Sequence, residues 1–189
     1  MSQVIVIEFV SLDGVIQDPD GNEGFRHGGW AFRYGPEPVT GDPFALSEVL
    51  GTGALLLGRR TWEMFAKIWP GRDDPFSAKM NAMPKLVASR SLVQAAGWQN
   101  STVLQGDLVA AVRERRRAQD IIVMGSASVV RTLLASDLVD EYRLMVFPLI
   151  LGEGMRLFPD GTAPVNLALA SAQTTGPAVK LIYTRPEHQ

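Results

Sequence analysis

Three short segments place glycine, hydroxyl or arginine side chains directly after runs of aliphatic residues. They are Gly58-Arg59-Arg60-Thr61, Ser89-Arg90 and Gly125-Ser126-Ala127-Ser128. Glycine allows the backbone to approach a ligand closely, the free amides at a helix start attract anions, and arginine holds phosphate through paired hydrogen bonds. Each segment could also serve only as a turn or a helix cap. Three of them at strand ends indicate a phosphate-bearing ligand, because open α/β sheets bind ligands there.

Other kinds of active site are excluded or disfavoured by what the chain lacks. It has no cysteine, which excludes disulfides, thiolate metal ligands and a cysteine nucleophile. Its two histidines, His27 and His188, are too few for a metal cluster or a histidine-based triad, so we expect no metal site. The sequence also lacks the phosphate-loop, dinucleotide-fingerprint and serine-elbow motifs.

The elements that must position these residues alternate between strands and helices. The predicted strands are Val4–Val10, Ala54–Leu57, Leu86–Ala88, Thr102–Leu104, Ile121–Met124, Glu141–Phe147, Leu167–Ala172 and Val179–Thr184. Helical spacing occurs over Thr61–Ile68, around Leu108 and Val112, and around Val129 and Leu133. The alternation predicts an α/β fold with a mostly parallel central sheet and helices on both faces. The last three strands lack intervening helices, which predicts an antiparallel C-terminal edge.

We expect a single domain over residues 1–189, because no linker or repeat divides the chain. Two loops are long enough to indicate a function, Ser11–Gly41 and, more weakly, Trp69–Asp74. Asp42-Pro43 is predicted to open a helix, since Asp followed by Pro is a common N-cap and first helical position.

The formal net charge of -2 argues against a nucleic-acid partner, and we expect the basic cluster at residues 113–117 to be a solvated helix face. No apolar run is long enough to span a bilayer. The chain begins in a buried strand pattern rather than a signal peptide, so we expect a cytoplasmic protein without a membrane partner.

Taken in order, these segments resemble the dihydrofolate reductase-like superfamily. Gly58-Arg59-Arg60-Thr61-Trp62 is similar to the Gly-Arg-x-Thr-Trp element of dihydrofolate reductases, and Ile121–Ser126 to their later strand with its glycine pair. Ser11-Leu12-Asp13-Gly14 and Pro148–Gly154 are closer to the reductase domain of riboflavin biosynthesis and its stand-alone relatives. The resemblance covers nearly the whole chain. It implies a single three-layer dihydrofolate reductase-like domain that binds NADPH and forms a homodimer.

The resemblance also implies roles for individual residues. Those around the adenosine 2′-phosphate would be Gly58, Arg59, Arg60, Thr61, Ser89 and Arg90, and those at the pyrophosphate would be Gly125, Ser126, Ala127 and Ser128. Ile16 would lie near the nicotinamide. Asp42 occupies the place where dihydrofolate reductases keep an acidic residue near the pterin, which makes it the candidate catalytic acid and gives the predicted helix cap a second role.

Three further residues are candidates for the substrate side. Asp13 could contact the substrate or form a turn, and Trp30 could stack on a flat ring or anchor the long loop. Glu8 could be a buried carboxylate with a hydrogen-bond partner or a group that lines the pocket.

The function implied is NADPH-dependent reduction of a small flat heterocycle or a related carbonyl or imine compound. One alternative is the 5-amino-6-(5-phosphoribosylamino)uracil reductase of riboflavin biosynthesis. Another is a non-catalytic protein that binds a nucleotide or small molecule on the same fold.

Overall fold

The structure is a computed structural model that describes residues 2–46 and 49–186, so His188 lies outside the described residues. Within these residues the strands form one sheet in the order β4-β3-β2-β5-β1-β6-β8-β7. The strands are β1 Val4–Ser11, β2 Ala54–Gly58, β3 Lys85–Ala88, β4 Ser101–Leu104, β5 Ile121–Met124, β6 Glu141–Phe147, β7 Ala168–Thr175 and β8 Ala178–Thr184. Strands β1 to β6 are parallel to one another. Strand β8 pairs antiparallel with β6, and β7 pairs antiparallel with β8 at the edge of the sheet. The predicted sheet is confirmed.

Helices cover both faces of the sheet. They are α1 Arg59–Ile68, α2 Pro75–Ala82, α3 Leu108–Arg115 and α4 Ala127–Ala135, with 3₁₀ turns at Ala31–Tyr34 and Trp69–Gly71. On one face, Trp62 of α1 and Met80 of α2 pack in the same buried cluster as Ile5 and Ile7 of β1. The alternate residues of β1, with Val4 among them, pack with α3 and α4 on the other face. Because β1 is covered on both sides, it needs a continuous apolar run, and this is what the sequence has.

The prediction that a helix begins at Asp42 is wrong. Residues 42–46 and 49–50 form turns, and Ser47 and Glu48 lie outside the described residues. Ala45 has a left-handed backbone (φ +53), which a helix cannot continue through. The Arg143 guanidinium donates hydrogen bonds to the carbonyls of Phe44 and Ala45. This tertiary contact ties the turn to β6.

One helix follows a segment that the sequence predicted as a loop. Asp74 begins α2, because its carboxylate accepts hydrogen bonds from the amides of Phe76 and Ser77, both at 3.0 Å. The end of the Trp69–Asp74 loop is therefore a helix cap. No helix of the described residues is long and apolar enough to cross a membrane.

The six parallel strands place their carboxyl ends at one edge of the sheet. The loop after β1, the start of α1 after β2 and the start of α4 after β5 all leave from this edge. The phosphate-binding segments predicted from the sequence therefore meet at one edge.

Candidate functional site

Hydrogen bonds join the β2–α1 and β5–α4 junctions. The hydroxyl of Ser126 accepts from the amide of Gly58 at 2.8 Å and lies 3.0 Å from the hydroxyl of Thr61. The Thr61 hydroxyl in turn donates to the carbonyl of Gly125 at 3.1 Å. Ser126 and Thr61 are both buried. Their hydroxyls therefore hold the two helix starts side by side, and the Ser126 side chain faces the interior.

The backbone conformation at position 125 favours glycine. Its φ of +62° lies in the left-handed region, and a Cβ added there would sit 3.1 Å from Cγ2 of Thr61. The residue is exposed, and no cis peptide bond occurs among the described residues. Gly125 therefore leaves open backbone at the start of α4, where a ligand can approach.

Among the helices of the described residues, the starts of α1 and α4 differ from those of α2 and α3. Neither α1 nor α4 has a side chain that caps its first amides. By contrast, α2 is capped by Asp74 and α3 by Asp107, whose carboxylate accepts from Ala110 N at 2.8 Å. Two adjacent, uncapped helix N-termini are suited to the anionic oxygens of a pyrophosphate. This geometry fits the phosphates of a dinucleotide.

The predicted 2′-phosphate residues are brought together in part. The pairing of Gly58 with Ala88 in the sheet places Arg59 and Ser89 at neighbouring strand ends. Arg59 forms an ion pair with Glu63 at 3.1 Å, and the Ser89 hydroxyl accepts from the amide of Leu92 at 2.9 Å. These two side chains thus also serve the helix and the turn.

The remaining predicted cofactor residues divide by their exposure. Arg60, Arg90 and Ser128 are exposed at the same edge and are accessible to a ligand. Ala127, in contrast, is buried. Its backbone, rather than its side chain, is the part that can contribute at the start of α4.

A cavity of about 850 Å³ opens beside these junctions. Its lining includes Ile16, Asp42, Thr61 and Gly125 among the predicted site residues. The other lining residues are largely aromatic and aliphatic, with Phe9, Phe32, Phe44, Met64, Phe65, Ile68, Trp69, Phe76 and Met124 among them. A pocket of this size and apolar character suits a flat organic ring. The cavity adjoins the β2–α1 and β5–α4 junctions, since Thr61 and Gly125 belong to these junctions and also line the cavity.

Glu8 is a buried carboxyl group on the cavity wall. It is only 5% exposed, and its Oε1 has no hydrogen-bond partner among the described residues. Burial raises the pKa of Glu8 well above its ordinary value. The amide of Gly125 lowers this pKa and the charge of Glu23 raises it further, both less strongly than burial. Glu8 therefore holds its proton more strongly than an ordinary carboxyl group does.

The loop after β1 adds two carboxylates to the cavity wall, those of Asp20 and Glu23. Burial, followed by the charges of Asp18 and Asp20, raises the pKa of Glu23, whereas the charge of Arg60 lowers it. Asp18 is buried, and its carboxylate accepts from the amides of Glu23 and Phe25, both at 2.9 Å. Asp18 therefore organises the glycine-rich loop. Arg60 lies close enough to Glu23 for its charge to lower the pKa of that carboxyl group.

The structure places Asp42 on the cavity wall. Its carboxylate Oδ1 accepts a hydrogen bond from the amide of Leu46 at 2.6 Å, so it stabilises the turn that replaces the predicted helix. Its position is compatible with both roles considered from the sequence. The catalytic role of Asp42 stays a prediction.

Asp13 and Trp30 do not line the cavity. The Asp13 carboxylate accepts hydrogen bonds from Ser11 Oγ at 2.6 Å and from the amides of Leu151 and Gly152. Burial raises the pKa of Asp13, but the hydrogen bonds outweigh this effect and lower the pKa to about 2. Trp30 is fully buried and donates to the carbonyl of Gln17 at 2.8 Å. The structure therefore gives both residues loop-anchoring roles, the simpler of the alternatives considered from the sequence.

His27 also belongs to the loop structure. It is half-buried, and its Nε2 lies 3.4 Å from a carboxylate oxygen of Glu153. It does not line the cavity.

Comparison with known proteins places the chain in a family. A model described as the RibD C-terminal domain matches residues 2–181. The chain belongs to this family. The YyaP protein of Bacillus subtilis, itself uncharacterized, is 26% identical over 189 residues, which is 96% of this chain and 94% of YyaP. The family match confirms the resemblance stated from the sequence.

Two crystal structures have a similar fold. A protein of Shewanella sp. PV-4 that is provisionally assigned to riboflavin biosynthesis has a TM-score of 0.77 at 22% identity, over 99% of this chain and 100% of that one. A pyrimidine reductase-like protein of Corynebacterium diphtheriae has a TM-score of 0.68 at 14% identity, over 99% of this chain and 93% of that one. At these identities the structural matches show the fold alone.

Sequence reasoning missed most of the cavity wall. Phe65 lies in α1, Trp69 in the 3₁₀ turn that follows and Phe76 in α2. Of these three, the sequence indicated only Trp69, through the long loop at Trp69–Asp74. Glu8 was considered, because a carboxylate inside an aliphatic strand is unusual. The sequence could not show that its carboxyl lacks a protein partner.

Proposed function

We propose that this protein is an NADPH-dependent reductase acting on a small flat heterocycle, or on a related carbonyl or imine compound. The observation that carries the proposal is that one apolar cavity adjoins two uncapped helix starts, with Thr61 and Gly125 shared between them. NADPH supplies the hydride when bound, and the protein supplies positioning and electrostatics.

The residues of this chain fit the anionic parts of the nucleotide. The first amides of α1 and α4, with the open backbone at Gly125, would bind the pyrophosphate. Arg60 and Arg90 carry exposed guanidinium groups at the same edge and would bind the 2′-phosphate. Ile16 lines the cavity next to these junctions, which supports its expected place near the nicotinamide.

The cavity wall would hold and desolvate the ring. Phe44, Phe65, Trp69 and Phe76 supply aromatic surface against which a flat compound can stack. An apolar wall also excludes water from the reacting atoms. Asp42 on this wall is our candidate for the group that handles the proton accompanying reduction.

A second candidate substrate is 5-amino-6-(5-phosphoribosylamino)uracil. It is favoured by the family and by two cationic side chains on the cavity wall, Arg72 and Lys79, which could bind a phosphate. Opposing it, Asp20, Glu23 and Asp74 line the same cavity, and carboxylates repel a phosphorylated ligand. We therefore rank the uncharged ring compound first.

The proposal is tested in two steps. A thermal-shift titration compares NADPH with NADH, because a ligand at 100 times its dissociation constant adds about 2.7 kcal/mol to stability. NADPH should give the larger shift. A panel of ring carbonyls, ring imines and the phosphoribosylaminouracil is then screened by loss of NADPH absorbance.

The possible outcomes separate the candidates. Equal shifts from both cofactors would refute the 2′-phosphate site, and no shift from either would refute the nucleotide site. Turnover of the phosphoribosyl compound that is lost in Arg72→Ala/Lys79→Ala would favour the second candidate. Tight NADPH binding without turnover of any compound would favour a non-catalytic nucleotide-binding protein.

A further inference from the structure

Glu8 lies where the β1–β5 pairing stops. Paired residues run from Val4 with Ile121 to Ile7 with Met124, where β5 ends. Glu8 is the next residue of β1, and it stays paired with Leu144 of β6 on the other side. Glu8 is one of the residues that line the cavity, next to the place where β5 ends.

The carboxyl group of Glu8, a residue of the cavity wall, has a buried hydrogen-bonding atom that no protein group uses. Among the described residues, the buried side-chain polar atoms without a partner are Glu8 Oε1 and the Tyr142 hydroxyl. Tyr142 does not line the cavity and packs against the ring of Phe158. Buried polar groups in folded proteins are nearly always hydrogen-bonded, so each exception calls for an explanation. For Glu8, a molecule bound in the cavity would provide the missing partner.

The surroundings of Glu8 favour the neutral form of its carboxyl group over the ionised form. Burial acts first, and the nearby carboxylate of Glu23 acts in the same direction, while the Gly125 amide opposes both. On the adjacent strand β6, the Arg143 guanidinium is already paired with Glu141 at 2.5 Å. The other charged residues on the cavity wall are Asp20, Asp42, Arg72, Asp74 and Lys79. A neutral carboxylic acid can donate a hydrogen bond, which a carboxylate cannot.

We propose that Glu8 binds the ring compound directly by donating a hydrogen bond from its carboxyl group to an uncharged acceptor, such as a ring carbonyl oxygen or a ring nitrogen. The proposal rests on the proposed function only in taking the cavity as the substrate site. It holds for both candidate substrates, because each carries such an acceptor. It adds a substrate-selecting residue to the site.

The test compares two variants of Glu8 with the wild type. Glu8→Gln keeps a donor and cannot ionise, whereas Glu8→Leu removes the donor and keeps an apolar side chain of similar size. Tyr142→Phe is the matched control, since it removes the other unpaired buried group away from the cavity. The probes are quinazolin-4(3H)-one, which carries a carbonyl and ring nitrogens, and naphthalene, which has no acceptor. Binding is measured by ligand-detected NMR titration without NADPH.

We expect quinazolinone to bind Glu8→Leu about two- to tenfold more weakly than the wild type, the range that one neutral hydrogen bond provides. Glu8→Gln and Tyr142→Phe should bind it like the wild type. Naphthalene should bind Glu8→Leu at least as well as the wild type. Quinazolinone binding to the wild type should weaken at high pH as Glu8 ionises, and this weakening should be absent from Glu8→Gln.

A ligand-free measurement keeps the proposal testable if Glu8→Leu does not fold. Glu8 has a raised pKa in the folded protein and an ordinary pKa of 4.5 in the unfolded chain. Above pH 4.5 the unfolded chain releases this proton first, so the stability of the wild type should fall as pH rises toward the folded-state pKa. Glu8→Gln should lack this contribution, and its melting temperature should rise relative to the wild type between pH 5 and pH 8.

Three results would overturn the proposal: no quinazolinone binding to the wild type, equal binding to the wild type and Glu8→Leu, or the same pH dependence of binding and stability in Glu8→Gln as in the wild type. A thermal-shift titration with NADPH is run on the same variants. If NADPH fails to bind any of them while the quinazolinone results hold, the proposed reductase function fails and the role of Glu8 stands.

Discussion

Ser126→Ala tests whether the two helix starts are held together by one hydroxyl group. The substitution removes the acceptor of the Gly58 amide at 2.8 Å and the contact with the Thr61 hydroxyl at 3.0 Å. Leaving a largely buried donor without a partner costs about 1–3 kcal/mol. For a chain of this length each kcal/mol corresponds to about 2–4 °C, so the melting temperature should fall by about 2–12 °C.

The same change should weaken NADPH binding, because the amides of α1 and α4 would no longer be fixed in one arrangement. Unfolding in urea gives the stability, and a thermal-shift titration gives the affinity. Ser128→Ala is the control for stability, since Ser128 is exposed as the second residue of α4 and should change stability by less than about 0.5 kcal/mol. If Ser126→Ala unfolds at the same urea concentration as the Ser128→Ala control, the hydroxyl does not hold the junctions and our account of the nucleotide edge is wrong.

Four further predictions concern other parts of the molecule. Asp42→Asn should lower turnover by roughly 10²–10⁴ with NADPH affinity nearly unchanged if Asp42 handles the proton, and an unchanged rate would leave it as the residue that stabilises its turn. Arg90→Ala should weaken NADPH binding about tenfold or more and leave NADH binding unchanged, as measured by thermal shift. Because the pKa of Asp13 is lowered to about 2, its ionised form stabilises the fold above pH 4, so the stability advantage over Asp13→Asn should disappear as pH falls from 4 toward 2. We also expect a homodimer, since β7 is an edge strand with almost all its side chains exposed, and light scattering that reports a 20.6 kDa particle would contradict this.

The central strands could be predicted from the sequence because burial on both faces leaves them little choice. Ile121–Met124 was predicted with its observed bounds, and Val4–Val10 differs from β1 by one residue at its end. A strand covered on both sides needs an unbroken aliphatic run, and such runs are rare elsewhere in a chain with ordinary composition. These unbroken aliphatic runs therefore predicted most of the central sheet.

Two of the three Asp-Pro pairs in the chain, Asp42-Pro43 and Asp74-Pro75, show where local patterns stop being sufficient. Asp74-Pro75 begins α2, whereas Asp42-Pro43 begins only turns, although both have the same capping signal. The difference comes from Arg143, which lies far along the chain and binds the carbonyls of Phe44 and Ala45. A residue so distant in sequence cannot be found from the dipeptide itself. Tertiary contacts decided which of the two pairs became a helix.

The candidate site shows the same division between residue type and residue direction. The sequence located Gly125-Ser126 as a backbone-exposing junction, and the structure supports this for Gly125. The Ser126 hydroxyl, however, faces inward to Gly58, which only the packing of β5 against β2 could reveal. Glu8 is the converse case: it is a carboxylate in a strand that should be apolar, and it lies one residue beyond the last β1–β5 pair. The end of β5 at Met124 leaves Glu8 without a paired residue on that side, next to the cavity that it lines.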